Sequence, residues 1–380
     1  MIVKLKDVCT KIGSGATPKG GATVYIDSGV SFIRSQNIYN LYFDYDGLTH
    51  ITDEAAKKLA GVTIEKEDVL INITGDSVAR TCIVPNDVIP ARVNQHVAII
   101  RPDRNILRPR FLNYYLASPY MQAHMLGLAV GKGASRNAMT KDMIGNFDIP
   151  CPNIEVQDRI IGILSAYDDL IENNQKQIKL LEEAAQRLYK EWFVDLHFPG
   201  WEETKIVDGV PEGWRKAVVT DLLTIKYGKD HKKLDDGYIP VYGSGGIMRR
   251  VKNVLYSGES VLIPRKGSLN NILYVSGDFW TIDTMFYSIP KKENIAKYTY
   301  LFLRTLDMYS FNIGAAVPSM TTKILDGIDI IYPKDDILNA FEALLNPIYS
   351  KIQILKLQIE SSTQARDRLL PKLMSGEIEV

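Results

Sequence analysis

The sequence predicts an α+β protein made of two mixed α/β globular domains and two long helices that pair as an antiparallel coiled coil. The chain has 380 residues, of which 46% are hydrophobic and 24% charged. A chain of this length is longer than one ordinary domain requires. One segment recurs after 181 residues, and each copy leads into a seven-residue apolar pattern. Such a repeat predicts two equivalent halves related by a pseudo-two-fold axis.

The repeat is clearest where two loop segments align. Residues 134–141 (ASRNAMTK) fall on residues 315–322 (AAVPSMTT) at a shift of 181. Farther towards the N-terminus, residues 68–71 (DVLI) resemble residues 260–263 (SVLI) at a shift of 192. Insertions and deletions therefore separate the front parts of the two copies, and only the rear part keeps a constant register.

A heptad pattern follows each copy of the repeat. Apolar residues separated alternately by four and three positions predict a coiled-coil seam. The first helix is predicted at residues 153–196, and the second, with a C-terminal tail, at residues 334–380. A stripe of about 33 residues would be roughly 50 Å long, so each helix is expected to act as a spacer. The predicted seam consists of Ile160, Leu164, Tyr167, Ile171, Asn174, Ile178, Leu181, Leu188, Phe341, Leu345, Ile348, Ile352, Leu355, Ile359 and Leu369.

Polar residues interrupt this pattern. Asn174, Ser362 and Arg366 occupy seam positions, where a buried polar group costs stability and can set the register of the pair. The alternative is that these side chains face a local water or a partner. Pro347 lacks a backbone donor, so a kink or a late start is expected in the second helix.

Each long helix is preceded by a region of short β-branched and aromatic runs. Val69–Thr74 and Val261–Pro264 are examples, and Gly, Pro, Asn and Asp separate the runs, as they do between strands. The predicted globular domains comprise residues 1–152 and 215–333. Residues 197–214 are rich in Pro and Gly, which predicts a linker between the halves.

Composition limits the possible classes of protein. Forty-five basic and forty-five acidic residues give a net charge of zero, so no bulk attraction to nucleic acid or to an anionic membrane is expected. The three cysteines are far apart and form no CxxC pair, which argues against a disulfide framework or a zinc site. The sequence has no signal-peptide pattern and no apolar stretch long enough to span a membrane. We therefore expect a cytoplasmic protein without membrane contact.

Motifs for catalysis are scarce. The glycine-rich residues 127–133 lack the spacing and the Ser or Thr of a phosphate loop. Residues 72–76 (NITGD) lack the proline and the terminal aromatic residue of an amino-methyltransferase loop. Glu259, near Arg265 and Lys266, is a faint sign of a metal nuclease and has no acidic partner. The sequence therefore predicts no catalytic residue, metal ligand or cofactor site in this chain.

Polar side chains that can bind bases and phosphates cluster at predicted turns of both globular domains. Arg can form two hydrogen bonds with guanine, and Asn or Gln with adenine, while Lys and Arg also bind phosphates without reading sequence. For any one residue an ordinary solvated loop is an equal alternative, and the prediction depends on the recurrence of the clusters. The predicted binding residues are Lys19, Arg34, Gln36, Asn37, Arg80, Arg92, Asn94, Gln95, His96, Lys132, Arg136, Tyr242, Ser244, Arg249, Arg265, Lys266, Ser268, Asn270 and Asn271.

Short motifs distributed along the chain are shared with a known family. Four of them are residues 211–214 (PEGW), 239–247 (IPVYGSGGI), 263–268 (IPRKGS) and 366–378 (RDRLLPKLMSGEI). With their order, the repeat and the paired helices, the whole chain resembles the DNA-specificity subunits of type I restriction-modification systems. PEGW is similar to the entry of the second target-recognition domain in that family, and the last motif is similar to its common C-terminal ending.

The resemblance implies a non-catalytic subunit that recognises a bipartite site in double-stranded DNA, with one target-recognition domain for each half-site. It also implies that two methyltransferase subunits, which use S-adenosylmethionine, dock on this scaffold. Restriction subunits, which use ATP and Mg²⁺, can join the complex. The acidic helices are the expected docking surface. The alternatives are a structural coiled-coil adaptor whose globular domains bind proteins, and a self-contained nuclease.

Overall fold

The chain forms two compact units. Residues 1–130 and 138–380 are described by the computed structural model. The first unit comprises Met1–Asn173 and Gln358–Val380, and the second comprises Asn174–Leu357. Each unit contains one globular domain and a part of each of the two long helices.

The first unit is built from short strands and helices. β2, β11, β8 and β9 form an antiparallel sheet in this order, while β10, β4, β7 and β3 form a second sheet in which β10 and β4 are parallel. β1 pairs with β12 and β5 with β6. The elements up to the first long helix are β1 (Ile2–Lys4), β2 (Cys9–Ser14), β3 (Tyr25–Ile26), β4 (Val30–Ile33), β5 (Ile38–Tyr39), β6 (Tyr42–Phe43), β7 (Thr49–Ile51), α1 (Asp53–Lys58), β8 (Val69–Asn72), β9 (Thr81–Ile83), β10 (Ala91–Val93), β11 (Val97–Pro102), α2 (Pro109–Ala117), α3 (Pro119–Ala129), α4 (Lys141–Gly145), β12 (Asp148–Pro150) and α5 (Ile154–Tyr189).

Strand β8 shows how the sequence specifies this core. Successive side chains of a strand point to opposite faces. Val69 and Ile71 lie in one cluster with Phe111 of α2, and Leu70, between them, lies in a second cluster with Ile33 of the other sheet. Because both faces are covered, the strand is a continuous apolar run instead of an alternating one.

The second unit repeats this construction. β16, β23, β20 and β21 form an antiparallel sheet, β17 lies between antiparallel β18 and parallel β22, and β15 pairs with β24. Its elements are β13 (Ile206–Val207), β14 (Val210–Pro211), β15 (Arg215–Val218), α6 (Val219–Leu222), β16 (Leu223–Tyr227), β17 (Asp236–Gly243), β18 (Gly246–Val251), β19 (Tyr256–Ser257), β20 (Ser260–Pro264), β21 (Leu273–Val275), β22 (Asp278–Thr281), β23 (Met285–Pro290), α7 (Ala296–Leu303), α8 (Thr322–Leu325), β24 (Asp329–Tyr332) and α9 (Asp335–Ser375).

Hydrogen bonds at equivalent places explain the two shifts found in the sequence. The amide of Met139 donates to the carbonyl of Ile73 at 2.8 Å, and the amide of Met320 donates to the carbonyl of Arg265 at 2.9 Å. Met320 follows Met139 by 181 residues, whereas Arg265 follows Ile73 by 192. The internal repeat is therefore confirmed as a repeat of fold, with a longer connection between the paired segments in the first unit.

In the first unit the start of α5 packs on the end of α9. Ile160 and Leu164 share a cluster with Leu370 and Leu373. Arg366 Nη1 lies 2.7 Å from Asp168 Oδ1, and the hydroxyl of Tyr114 donates to the same carboxylate. The polar seam position at Arg366 is thus satisfied by an ion pair inside the unit.

In the second unit the end of α5 packs on the start of α9. A π-helical turn at Lys190–Val194 follows α5, and its Trp192 and Phe193 rings lie 5.5 and 4.7 Å from the ring of Phe341, measured between centroids. Within each unit the two helices therefore run antiparallel, as the fold class predicted. In the described part of the chain, no helix has the continuous apolar length that a bilayer would require.

Pro347 does not delay the second helix. α9 begins at Asp335 and continues through Pro347 to Ser375, so the expected late start is wrong. A proline inside a helix leaves the carbonyl four residues earlier without its backbone partner. Pro347 and Ala343, which carries that carbonyl, are both exposed, so water can satisfy it.

Candidate nucleic-acid interface

Several loops of the first unit meet where its two four-stranded sheets come together. The amide of Ala16, after β2, donates to the carbonyl of Val93 at 3.0 Å. The amide of Asn94 donates to the carbonyl of Ile33, at the end of β4, also at 3.0 Å. The amide of Ile73 donates to the carbonyl of His96 at 2.9 Å. Strand ends that are distant in sequence are thereby held side by side; we call this place the first junction.

A glycine makes the close approach possible. A Cβ atom at Gly15 would lie 2.2 Å from the carbonyl oxygen of Asn94, and one at Gly228 would lie 2.0 Å from that of Ile282. Real Cβ atoms do not approach backbone oxygens so closely, so both positions require glycine. The two glycines occupy equivalent places in the two units.

The turn between β10 and β11 brings three predicted binding residues to the first junction. The side-chain oxygen of Asn94 accepts a hydrogen bond from the amide of His96 at 3.1 Å. His96 Nδ1 lies 2.6 Å from the hydroxyl oxygen of Thr74, and the Thr17 hydroxyl donates to the side-chain oxygen of Gln95. Two threonines that the sequence analysis did not single out therefore orient the polar groups of this turn.

The loop after β4 contains both surface and scaffold residues. Arg34 Nη2 donates to the carbonyl of Gly47 at 2.8 Å, and Gln36 Nε2 lies 3.4 Å from the same oxygen. Asn37 is fully buried, accepts from the amide of Arg34 at 3.0 Å and donates to the carbonyls of Asp44 and Asp46. Asn37 therefore holds the loop, while Arg34 and Gln36 remain near its surface.

Other predicted residues of the first unit are placed differently from one another. The guanidinium of Arg80 lies 4.5 Å from the ring centroid of Tyr39. Arg92 donates to the carbonyls of Ala56 and Ala91 at 3.1 and 2.9 Å, and burial lowers its pKa. Lys19 is exposed. Lys132 and Arg136 lie outside the described residues.

The second unit contains the equivalent arrangement, the second junction. The amide of Lys229, after β16, donates to the carbonyl of Thr281 at 2.8 Å, and the amide of Ile282 donates to that of Tyr242 at 3.0 Å. The amide of Arg265 donates to the carbonyl of Thr284 at 2.8 Å. The same strand ends therefore meet in both units, although their sequences differ.

The side chain of Arg265 is held in place at the second junction. Its Nη1 donates to the carbonyl of Asp283 at 2.9 Å, and its guanidinium lies 5.4 Å from the ring centroid of Tyr227. Lys266 Nζ lies 3.8 Å from the carboxylate of Asp283. The side chains of Arg265 and Lys266 are 29% and 43% exposed, so two cations share one carboxylate at the surface.

Polar groups fix the β17–β18 turn against these residues. The amide of Ser244 donates to the Thr284 hydroxyl at 3.3 Å, and Asn271 Nδ2 donates to the Ser244 carbonyl at 2.8 Å. A Cβ atom at Gly267 would lie 2.9 Å from the Ser244 hydroxyl oxygen. Ser244, Asn271 and the segment around Lys266 are thereby brought together.

The remaining predicted residues of the second unit mainly support its loops. Asn270 donates to Asp307 at 3.2 Å and accepts from the amide of Met308 at 2.7 Å. Arg249 Nη2 donates to the carbonyl of Leu234 at 3.0 Å and pairs with Asp236. Burial raises the pKa of Tyr242, and Ser268 is exposed.

The loop after β16 is basic and was not predicted from the sequence as a binding segment. Residues 229–235 (KDHKKLD) follow Gly228, the counterpart of Gly15, whose own loop carries Lys19. Lys229, Lys232 and Lys233 are exposed. The signal available in the sequence was a glycine directly after the equivalent strand in each copy.

The carboxylate considered for a nuclease is engaged inside the second unit. Lys297 Nζ lies 2.8 Å from Glu259 Oε1, and the Tyr274 hydroxyl donates to the same oxygen. Burial raises the pKa of Glu259, but these two hydrogen bonds outweigh it, so the pKa is lowered overall. Within residues 1–130 and 138–380, no three or more His, Cys, Asp or Glu side chains are grouped as metal ligands.

Comparison with known proteins gives consistent matches over the whole chain. The type I restriction modification DNA specificity domain matches residues 1–183 and 211–361. The type I restriction enzyme MjaIX specificity subunit of Methanocaldococcus jannaschii is 26% identical, over 100% of this chain and 93% of its own length. The HindI specificity subunit of Haemophilus influenzae is 23% identical, over 92% of this chain and 94% of its own length.

A solved structure supports the fold independently of sequence. The S subunit of the type I restriction-modification system from M. genitalium aligns with a TM-score of 0.58 at 17% identity and covers 98% of this chain and 95% of its own. At this identity the likeness concerns fold alone. The matched domain occurs twice and spans most of the residues. Its two copies correspond to the two units, which carry equivalent junctions. The chain therefore belongs to the type I restriction-modification DNA specificity family.

Proposed function

We propose that the chain is the sequence-reading subunit of a type I restriction-modification complex and that each junction reads one half of a bipartite DNA site. The observation that carries this proposal is the recurrence of the same junction in both units. Each junction presents cations and amide or hydroxyl groups on a backbone that hydrogen bonds hold in place. Rigid polar groups of this kind suit base-edge recognition, since a side chain that is already oriented loses less entropy on binding.

The two junctions use different residues for the same task. At the first, Arg34, Gln36 and Gln95 are the proposed base-reading groups. Asn94, also expected there, is buried and instead holds the turn through the amide of His96. At the second, Tyr242, Ser244 and Arg265 are expected to read bases. Asn271 takes the place first expected for Asn270, because both polar groups of the Asn270 side chain are bonded to Asp307 and Met308. Two lysines beside them bind backbone phosphates: the exposed Lys19 in the first unit and the half-exposed Lys266 in the second. Different residues on one scaffold allow the two halves of the site to differ in sequence.

In this proposal the chain itself performs no chemistry. Two methyltransferase subunits supply methyl transfer from S-adenosylmethionine, and restriction subunits supply ATP- and Mg²⁺-dependent translocation and cleavage. The long helices present a surface for these partners. Residues 151–210 contain 12 acidic and 6 basic residues, and the helix faces turned away from the cores are largely exposed. A complex of this composition acts on DNA in the cytoplasm.

One experiment tests the proposal directly. The methylated adenines in the native genome are mapped to obtain the site, and the chain is then purified with and without its methyltransferase subunits. We expect the complex to bind a duplex with this site far more tightly than a scrambled duplex, in a salt-sensitive manner. We expect no methyl transfer from the chain alone with S-adenosylmethionine. Sequence-independent binding by the complex, or methylation by the isolated chain, would contradict the proposal.

A further inference from the structure

The hairpin of β17 and β18 exposes two successive apolar side chains. Ile247 and Met248 are 55% and 56% exposed. In a regular strand two successive side chains point to opposite faces of the sheet, so only one of them would point outwards. Here Val241 pairs with Arg249, but Tyr242 pairs with Ile247, so Ile247 and Met248 together oppose one residue. This β-bulge turns both side chains outwards.

The residues around the bulge hold it in place. A Cβ atom at Gly243 would lie 2.6 Å from Met248 Sδ, so the side chain of Met248 lies across the glycine backbone. Ser244, at the tip, is fixed by Thr284 and Asn271 through hydrogen bonds of 3.3 and 2.8 Å. The two exposed apolar side chains are therefore part of an ordered turn.

The hairpin adjoins the cationic part of the second junction. Ser244 lies against Gly267, and Lys266, the preceding residue, is half exposed near Arg265. β18 is the edge strand of its sheet, so the β17–β18 ribbon has a free side. A two-stranded ribbon fits the major groove of B-DNA, and cations beside it match the phosphates that border the groove.

We propose that Ile247 and Met248 contact thymine 5-methyl groups in the major groove and make the second half-site dependent on thymine. The inference rests on the proposed function. The thymine methyl is the apolar feature that a base edge presents in this groove, and apolar side chains recognise it by contact. Two side chains form too small an apolar surface for a stable protein interface, but their size matches one or two methyl groups.

The test replaces each thymine of the mapped site, one at a time, by deoxyuridine. This change removes only the 5-methyl group and leaves the base-pairing edge intact. The wild-type complex with its methyltransferase subunits is expected to bind about fourfold more weakly when one particular methyl is removed, as for the loss of one buried methylene-sized group. The sensitive thymine or thymines must lie in one half-site only.

Matched variants connect the effect to the hairpin. Ile247→Ser and Met248→Ser should weaken binding to the thymine duplex and should bind the thymine and deoxyuridine duplexes equally. Met248→Leu should keep most of the thymine preference. Val254→Ser is the control, because Val254 is 44% exposed in the same unit but lies outside the hairpin. Unchanged thermal stability and unchanged discrimination at the other half-site show that a variant is folded.

The outcomes separate this inference from the proposed function. Suppose that the wild-type complex selects its site but that no deoxyuridine substitution weakens binding. The thymine contact is then overturned, and the proposed function stands. The same conclusion follows if both serine variants keep the wild-type sensitivity to deoxyuridine. If the wild-type complex shows no sequence selectivity at all, the proposed function fails. A change of oligomeric state in the serine variants, with intact thymine sensitivity, would instead assign the hairpin to a self-contact and overturn the inference.

Discussion

At the residue scale, Arg265 is held in place by its own domain. Its guanidinium contacts the ring of Tyr227 and the carbonyl of Asp283 while part of its surface remains open. Arg92, by contrast, donates to carbonyls of its own unit. From the sequence, both arginines were predicted to bind DNA. In the structure, Arg265 is the better candidate for base recognition, because part of its guanidinium surface remains open.

Replacement of Arg265 by alanine should relax recognition at one position of the second half-site. The expected cost is about 1–3 kcal/mol, the usual value for a lost bidentate base contact. Competition binding with duplexes that carry each base at each position measures this. Lys252→Ala is the control, since Lys252 is exposed and pairs only loosely with Asp235 at 3.8 Å. Equal weakening on all sequences would assign Arg265 to a phosphate.

The glycine at the first junction allows a paired test on one strand end. Gly15→Ala should destabilise the protein by about 1–3 kcal/mol, as overpacking does, because the new methyl would meet the carbonyls of Val93 and Asn94. It should also weaken discrimination at the first half-site. Gly13→Ala is the matched control, because a Cβ atom there has no neighbour within 4 Å. Urea denaturation compares the two, and equal stabilities would contradict the role of Gly15.

At the scale of elements, a buried ion cluster joins α9 to the domain of the second unit. Lys297 in α7 has a 4% exposed side chain and pairs with Glu342 of α9 and with Glu259. Burial raises the pKa of Glu342 above its usual range. The positive charge of Lys297 balances the negative charge of one carboxylate. That carboxylate can therefore stay ionised although it is buried.

Lys297→Met should destabilise the protein in a pH-dependent way. Burial already raises the pKa of Glu342 in the folded state, and the loss of the neighbouring cation should raise it further. A raised folded-state pKa contributes stability below the unfolded value, about 4.3 for Glu, and that contribution is lost as the pH rises. The deficit relative to wild type should therefore be about 3 kcal/mol near neutral pH and smaller at pH ~5.

Urea denaturation at both pH values measures the deficit, and Lys291→Met, at an exposed lysine of the same unit, is the control. A deficit that is equal at the two pH values would show that the lost stability comes from packing instead of charge.

At the scale of the whole molecule, the two long helices are continuous elements. α5 contains 36 residues and α9 contains 41, which correspond to about 54 and 62 Å at the rise of an α-helix. The sequence analysis expects each helix to act as a spacer, and we propose that the pair sets the gap between the two half-sites.

Insertion of one heptad after Ile171 together with one after Ile352 should change that gap. Seven residues lengthen each helix by roughly 10 Å and keep the apolar seam in register, which corresponds to about three base-pair steps. Mapping the methylated adenines in cells that carry the variant measures the gap, provided that methylation persists. Both half-sites should be unchanged. An active complex that keeps the original gap would contradict the spacer role.

The fold class, the repeat and the long helices could be predicted from the amino-acid sequence alone. Hydrophobic periodicity depends on local geometry, which repeats every 3.6 residues in a helix and every two in a strand, so it can be read without tertiary contacts. The 181-residue repeat and the motifs indicated the family because they are likenesses of sequence, which can be recognised without tertiary contacts. The shifts of 181 and 192 residues also placed equivalent segments correctly, as the bonds of Met139 and Met320 show.

The contacts of each polar residue, in contrast, depend on the tertiary structure. Asn37 and Arg34 come from one turn, yet the first is fully buried and the second lies near the surface. The position of Lys229 beside Thr281 likewise depends on strands that are distant along the chain. The physical reason is that a polar side chain bonds to whichever partners the fold brings within about 3 Å, and those partners have no fixed spacing in sequence.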